Sequence, residues 1–401
     1  MRRRAAGAVA AVLASGCLVS TPARAYLPSV CSTVPKTADQ RALVAYDRSP
    51  NAAVRAVTAA GGTIVGRINE LGVVEAAFGS RALRDAALPV LAASPGVRYA
   101  DPEHTYTTTK TPRDPYLSRQ WGLFKVGAPK AWDRETGRTP VVVAVLDTGV
   151  DLKHPDLKTR VTAGRNVVDN NDDPQDHHSH GTHVAGIIAA ATNNRVGVAG
   201  MSWGAKVLAV KVLSDSGEGS DCDLALGMLS AADAGAKVLN MSLGSEGIEC
   251  GLVTQAALDY ARDKGALPVV SAGNGARKGN KVNSPANCAG VLAVGATDRN
   301  DRIATFSTHH PYVGVSAPGV AIVSTYVSPK TKKSGYAAMS GTSMAAPFVS
   351  GLAALLYAKH PTWTPDQVRN RIVSTADDRG LRGKDQYYGA GRINAARALA
   401  G

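Results

Sequence analysis

The stretch VVVAVLDTGVD (141–151) opens with six apolar residues and stops abruptly at Asp147-Thr148-Gly149. A strand with one wet face would alternate apolar and polar residues. An unbroken apolar run instead marks a strand buried on both faces, as in a parallel sheet covered by helices. Four further runs have the same character: AKVLAVKVL (205–213), AKVLNMSLG (236–244), ALPVVSAGN (266–274) and VLAVGATD (291–298). Between them lie small-residue helical runs such as VAGIIAAA (184–191) and LALGMLSAADAG (224–235). Alternation of this kind predicts an α/β layer structure. In such sheets ligands gather at the carboxyl ends of the strands. Asp147, Ser242 and Asn274 each stand at or just past such an end.

Upstream the character changes. Strand (41–47), helix (51–62), strand or hairpin (63–78), helix (81–96) and strand (97–106) follow in β-α-β-β-α-β order, which predicts a small ferredoxin-like α+β unit. The polar stretch TTTKTPRDP (107–115) reads as an exposed linker. The N-terminus, MRRRAAGAVAAVLASGCLVSTPARA, has three arginines, a short apolar run and a closing Ala-Arg-Ala, the pattern of an export signal (1–25) cut after Ala25. ASGC (14–17) partly resembles a lipoprotein box, with Ala14 where Leu is usual. No later run is expected to span or anchor to a membrane. Export permits disulfides. Without Cys17, the cysteines left are Cys31, Cys222, Cys250 and Cys288, with three full pairings open. The formal charge of +13 is dispersed and aromatics make up 5% of the chain, without basic/aromatic interleaving, so no nucleic-acid partner is expected.

The chemistry lies in four polar residues. Asp147 could simply shape a turn, as could Asn274 before Gly275, and Ser343 could cap a helix. His180 lies in the polar run DHHSHGTH. Together they supply what acyl transfer needs: a nucleophilic hydroxyl, a base, a carboxylate to orient the base, and donors for an oxyanion. The small residues around Ser343 in GTSMAAP (341–347) let a peptide approach to about 3 Å. The start of its helix offers free N–H groups and a positive dipole end.

VAVLDTGVD (143–151), HGTHVAGI (180–187), SAGN (271–274) and GTSMAAP (341–347) resemble the signature segments of subtilases, in the subtilisin order Asp, His, Ser. The resemblance runs from about 114 to 397 and is thermitase-like in its loops. It implies a three-layer subtilisin-like fold with a mainly parallel central sheet flanked by helices, as a peptidase domain over 111–401. It also implies that 26–110 is an inhibitory prodomain whose tail is cut between Tyr106 and Lys110. A folding template suits a slow-folding parallel sheet. The implied product is a secreted, monomeric serine endopeptidase, made as a self-processing zymogen and acting on proteins or peptides.

Carried over by position, Ser343 attacks the scissile carbonyl, His180 moves its proton, Asp147 orients His180, and the Asn274 amide with the Ser343 N–H binds the oxyanion. Ser242, Leu243 and Gly244 resemble one substrate-binding edge, Gly217 and Gly219 the other, and Asn283 the floor of the specificity pocket. The small lining residues imply a roomy pocket and broad specificity. AATNNRVGVAG (190–200) resembles a structural calcium loop. Asp114, Asp156 and Asn194 side chains and the carbonyls of Ala191, Val196 and Val198 would complete a shell of about six or seven oxygens. A Cys250–Cys288 bridge is implied as well. Cys222 is then free or joined to Cys31, which would tether the cut prodomain.

The residues offer three rival readings. Asp147-Thr148-Gly149 and Asp215-Ser216-Gly217 could mark an aspartic protease, but they lie too close in sequence for two large lobes. His177, His178, His180 and His183 could bind catalytic zinc, but no HExxH is present. A non-enzymatic binding protein on the same scaffold would be expected to lack one of the catalytic residues, and none is missing.

Overall fold

The computed structural model describes residues 31, 40–104, 110–138 and 140–400. The predicted signal (1–25) with Cys17, and the predicted cut region up to residue 109, lie outside them. The described residues form two compact units, divided between 107 and 108.

The first unit runs β1 (Arg41–Tyr46), α1 (Pro50–Ala59), β2 (Thr63–Ile68), β3 (Val73–Ala77), α2 (Arg81–Ala92) and β4 (Val97–Pro102). Its sheet is antiparallel with order β2-β3-β1-β4. Ser49, with Pro50 behind it, caps α1 by accepting from the Asn51 N–H, and Ser80 caps α2 by accepting from Leu83. Ala53, Val57, Ala87 and Leu91 on the helices close over Ala42, Val44, Val74 and Ala76 of the strands.

The second unit begins with α3 (Trp121–Lys125) and α4 (Ala128–Trp132), followed by β5 (Val142–Asp147), β6 (Val161–Asn166), α5 (His180–Ala189) and β7 (Lys206–Lys211). Next come α6 (Asp221–Asp233), β8 (Val238–Met241), β9 (Ser245–Glu246), α7 (Leu252–Asp263), β10 (Leu267–Ser271), β11 (Asn283–Ser284) and β12 (Leu292–Thr297). It ends with β13 (Val313–Pro318), β14 (Ile322–Val327), β15 (Ser334–Met339), α8 (Thr342–Lys359), α9 (Pro365–Ser374) and α10 (Ala395–Ala398). Seven strands make the central sheet, order β13-β12-β10-β8-β5-β7-β6, and every pairing in it is parallel.

Strand β5 shows why the central sheet is covered by helices on both faces, giving three layers. Along β5, Val143 and Val145 join the core under α5 and α8, while Ala144 and Leu146 join the core under α6 and α7. Both faces of β5 are dry, which is why its residues from Val142 to Leu146 are all apolar. β6, β13 and the β14–β15 hairpin were not singled out in the sequence. β6 (VTAGRN) is a partly exposed edge, and its composition carries no continuous apolar signal.

Candidate active site

The order of the sheet places the ends of β10, β8 and β5 side by side. Asp147 closes β5, Ser242 follows β8 and Asn274 follows β10 closely. On one face of the sheet, α5 begins at His180 and α8 begins one residue before Ser343.

Asp147 is fully buried. Its Oδ1 accepts from the Thr148 N–H and from His180 Nδ1, both at 2.7 Å. A carboxylate only accepts, so Nδ1 carries the proton and Nε2 is left as the basic nitrogen. Burial pushes the His180 pKa down, but the charge of Asp147 and its hydrogen bond outweigh that and leave it above the ordinary value. Gly181 makes the close approach possible. A Cβ there would stand 2.0 Å from the Gly149 carbonyl and 3.0 Å from Asp147 Cβ.

Ser343 Oγ donates to the Ser242 carbonyl at 3.0 Å, and Ser242 Oγ donates back to the Ser343 carbonyl at 2.8 Å. Among the described residues no hydrogen bond joins Ser343 to His180; a resting serine hydroxyl is a free rotor, and such contacts often tighten only with substrate bound. Asn274 Oδ1 accepts from the Thr342 N–H (2.9 Å) and hydroxyl (3.1 Å), which turns its Nδ2 outward. A Cβ built on Gly341 would lie 3.6 Å from both Asn274 Nδ2 and the Ser343 N–H nitrogen. The two donors therefore border one small space that no side chain fills.

The expected substrate edges lie in two loops. Gly217 has φ +83° in a turn closed by its N–H to the Ser214 carbonyl, and a Cβ on it would lie 3.2 Å from His178 Nε2. Ser242 to Gly244 leads into β9, which pairs with β11 so that Asn283 faces Glu246. Asn283 is buried, and its amide packs so closely on Gly244 that a Cβ there would be 2.2 Å from Nδ2. The same side chain lies about as near to Gly273 as a Cβ allows, at 3.0 Å.

Of the other histidines, His183 turns into the core, its Nε2 3.1 Å from the Ala337 carbonyl, and burial pushes its pKa down to about 4. Asp215 pairs with Lys211 at 2.9 Å. Cys250 and Cys288 form a disulfide, and Cys31 and Cys222 are free thiols.

The structure also brings Asp114, Asp156 and Asn194 together. Asp114 accepts from the N–H groups of Asn193 (2.7 Å) and Asn194 (3.1 Å). Asp156 accepts from Asn194 Nδ2 (2.7 Å) and from the Val198 N–H (2.9 Å). Ala191, Val196 and Val198 lie on the same loop. Both carboxylates are buried, and neither has a basic side-chain partner among the described residues. Burial raises both pKa values, Asp156 to about 6, with the charge of Asp114 adding to the rise.

Sequence reasoning passed over Thr148, Asp176 and Thr342. All three are small polar residues within motif segments, where they read as turn formers. The only signal was position: Thr148 follows Asp147, Asp176 precedes His180 by one turn of chain, and Thr342 precedes Ser343.

This is the arrangement of a serine hydrolase built at the carboxyl edge of a parallel α/β sheet. A profile described as "Subtilase family" matches residues 138–391. The chain is 45% identical over 291 residues to "Thermitase" of Thermoactinomyces vulgaris, covering 72% of this chain and 99% of the relative. It is 42% identical over 317 residues to "Thermophilic serine proteinase" of Bacillus sp. strain AK1, covering 79% and 76%. Among solved structures, fervidolysin of Fervidobacterium pennivorans, titled a keratinolytic enzyme related to subtilisin, matches with TM-score 0.66 and 31% identity over 90% of this chain and 61% of its own. A protease from Pseudoalteromonas arctica matches with TM-score 0.66 and 34% identity over 72% and 99%. The chain belongs to the subtilase family and is a subtilisin-like serine endopeptidase.

Proposed function

We propose that Ser343, His180 and Asp147 form the catalytic triad of a secreted, self-processing protease, with the Asn274 amide and the Ser343 N–H as its oxyanion hole. The carrying observation is the pair of donors bordering one unfilled space beside a nucleophile whose base is already held by a buried carboxylate. In this reading a substrate strand adds to the edges at 242–244 and 217–219 through its main chain. Its N–H takes over the Ser242 carbonyl, and the displaced Ser343 hydroxyl turns to His180 Nε2. His180 accepts the proton as Oγ bonds to the carbonyl carbon, then gives it to the leaving amine. Asp147 stabilises the imidazolium, and water repeats the sequence to free the acid product. Asn283, buried against Gly244 and Gly273, sets the floor of the specificity pocket.

In the same reading residues 1–25 are a signal peptide and 26–110 an inhibitory prodomain cut by the enzyme itself. The likeness to fervidolysin over 90% of this chain supports treating the first unit as part of the same enzyme. No helix among the described residues is long and apolar enough to cross a membrane.

Calcium fits the loop at 190–200. Two buried carboxylates without a basic partner, one with its pKa raised to about 6, are what a divalent cation would neutralise. Asp114, Asp156 and Asn194 would hold it by side chains, and Ala191, Val196 and Val198 by carbonyls. Its contribution would be to stability alone.

The deciding experiment is intact mass and N-terminal sequencing of the secreted protein, wild type beside Ser343→Ala, before and after a fluorophosphonate. Wild type should begin near residues 107–111 and gain one label, while Ser343→Ala stays longer and unlabelled. Equal N-termini with no label on either protein would overturn the reading.

A further inference from the structure

We propose that Asp176 and Thr148 are positioning residues that lock His180 against Asp147. This rests on the triad assignment above and goes beyond it.

Helix α5 begins without a cap of its own. Ser179, at its N-cap, has φ +95° and makes no capping bond. The free N–H groups of its first turn are satisfied from elsewhere in the chain. The Gly181 N–H donates to Thr148 Oγ1 at 3.1 Å, and the Thr182 N–H donates to Asp176 Oδ2 at 3.0 Å. The Thr148 hydroxyl in turn donates to Asp176 Oδ1 at 3.0 Å. The residue after Asp147 thus holds the residue after His180, and the Asp176 carboxylate holds Thr148 and Thr182.

Asp176 is fully buried and serves as an anchor. It accepts from the Thr148 and Thr182 hydroxyls and from the N–H groups of His178, Ser179 and Thr182. No basic side chain touches it among the described residues. Its charge is balanced by these donors and by the positive end of α5. The other side of the turn is held too: Lys211 Nζ donates to the Thr148 carbonyl at 2.8 Å. The Thr182 hydroxyl receives the Asp151 N–H at 2.9 Å, tying the segment beyond the turn to the same helix. With Thr148 fixed between Asp176 and Lys211, the Asp147 carboxylate and the His180 ring have one relative position. Removing the hydroxyl or the carboxylate charge frees the first turn of α5 and loosens the bond on which His180 depends.

The test compares full-length Thr148→Val, Thr148→Ser, Asp176→Asn and His180→Ala with wild type. Each is matured by immobilised wild-type enzyme, so that a processing defect is not read as a turnover defect. Active sites are titrated with a fluorophosphonate, and kcat and KM on a peptide substrate are expressed per titrated site. Thr148→Val and Asp176→Asn should lose on the order of 10- to 100-fold in kcat and in labelling rate, with KM within about twofold, as expected for a displaced reacting group. Thr148→Ser keeps the hydroxyl and should stay within about threefold of wild type. If Thr148→Val keeps its kcat per site and loses only thermal stability, the residues are merely a helix cap and the proposal fails. Should Asp176→Asn not fold, the Val/Ser pair at 148 decides. An active His180→Ala would instead overturn the triad assignment, whatever the other variants do.

Discussion

Two places in the peptidase unit bury carboxylates, and they treat them differently. Asp176 lies at the start of α5, met by hydroxyls and N–H groups and with no second acid against it. Asp114 and Asp156 lie beside the 190–200 loop, also hydrogen-bonded, yet burial raises both pKa values, and the charge of Asp114 adds to the rise at Asp156. The first carboxylate is saturated by fixed donors. The second pair still lacks a positive charge. Damage near Asp176 should therefore appear in turnover, and damage near Asp156 in stability.

The largest effect that sharpens this contrast is Asp147→Asn. The fold should persist by near-UV circular dichroism while kcat falls about 10⁴-fold, because the amide favours the wrong tautomer of His180. The pH profile should move as well. Asp147 raises the His180 pKa against the downward push of burial. In wild type, kcat/KM should therefore rise with pH through a value above 6.5, the ordinary histidine value. With the charge gone, burial remains and the acid limb moves to lower pH. A limb that stays in place would show that Asp147 does not set it.

Asn274→Ala comes next. It leaves the Ser343 N–H as the sole donor at that space. A loss on the order of 10²- to 10³-fold in kcat with little change in KM is expected, a size taken from another subtilisin. A matching rise in KM instead would place Asn274 in ground-state binding.

The acidic loop gives the opposite signature. Chelation should lower the melting temperature by several degrees at pH 8 and leave kcat at 25 °C unchanged. At a calcium concentration about 100 times Kd the lost stabilisation is about 2.7 kcal/mol. Without metal, Asp156 has a folded pKa of about 6 against an ordinary value of 3.8. Its contribution to stability is thus present below about 3.8 and lost as pH rises through about 6. The chelator effect should shrink as pH falls below about 6, where a protonated Asp156 neither repels Asp114 nor binds the ion. Asp156→Asn should abolish the effect. A chelator effect equal at pH 5 and pH 8 would break the comparison.

The fold was legible because its strongest signal is physical and local. Unbroken apolar runs can lie only between two dry faces, and β5, β7, β10 and β12 all carry one. The edge strand β6 does not, having one exposed side to please, and it went unread. In the proposed site, Asp147, His180, Asn274 and Ser343 stand out in the sequence because acyl transfer needs those residue types. Thr148 and Asp176 were not. A carboxylate that binds hydroxyls and N–H groups has the same spelling as one in a turn. Only the return of α5 over the end of β5 shows which it is.

The smallest effect concerns Met344, which directly follows the proposed nucleophile and is 1% exposed, on α8 and packed into the core. Dilute peroxide would transfer one oxygen to its thioether, releasing water and leaving a polar sulfoxide beside Ser343. The oxyanion donors and the triad stay in place, so the loss should be partial: a few-fold in kcat, with the fluorophosphonate still labelling every site. Met344→Leu keeps the volume without the oxidisable sulfur and should resist peroxide at a modest cost in activity. The acidic loop serves as internal control, since the chelator effect on melting temperature should be the same before and after oxidation. Unchanged kcat in protein whose mass maps one added oxygen to Met344 would show that the catalytic edge tolerates a new dipole behind the nucleophile. The contrast between a rigid catalytic edge and an adjustable acidic loop would then be weaker than Asp176 and Asp156 suggest.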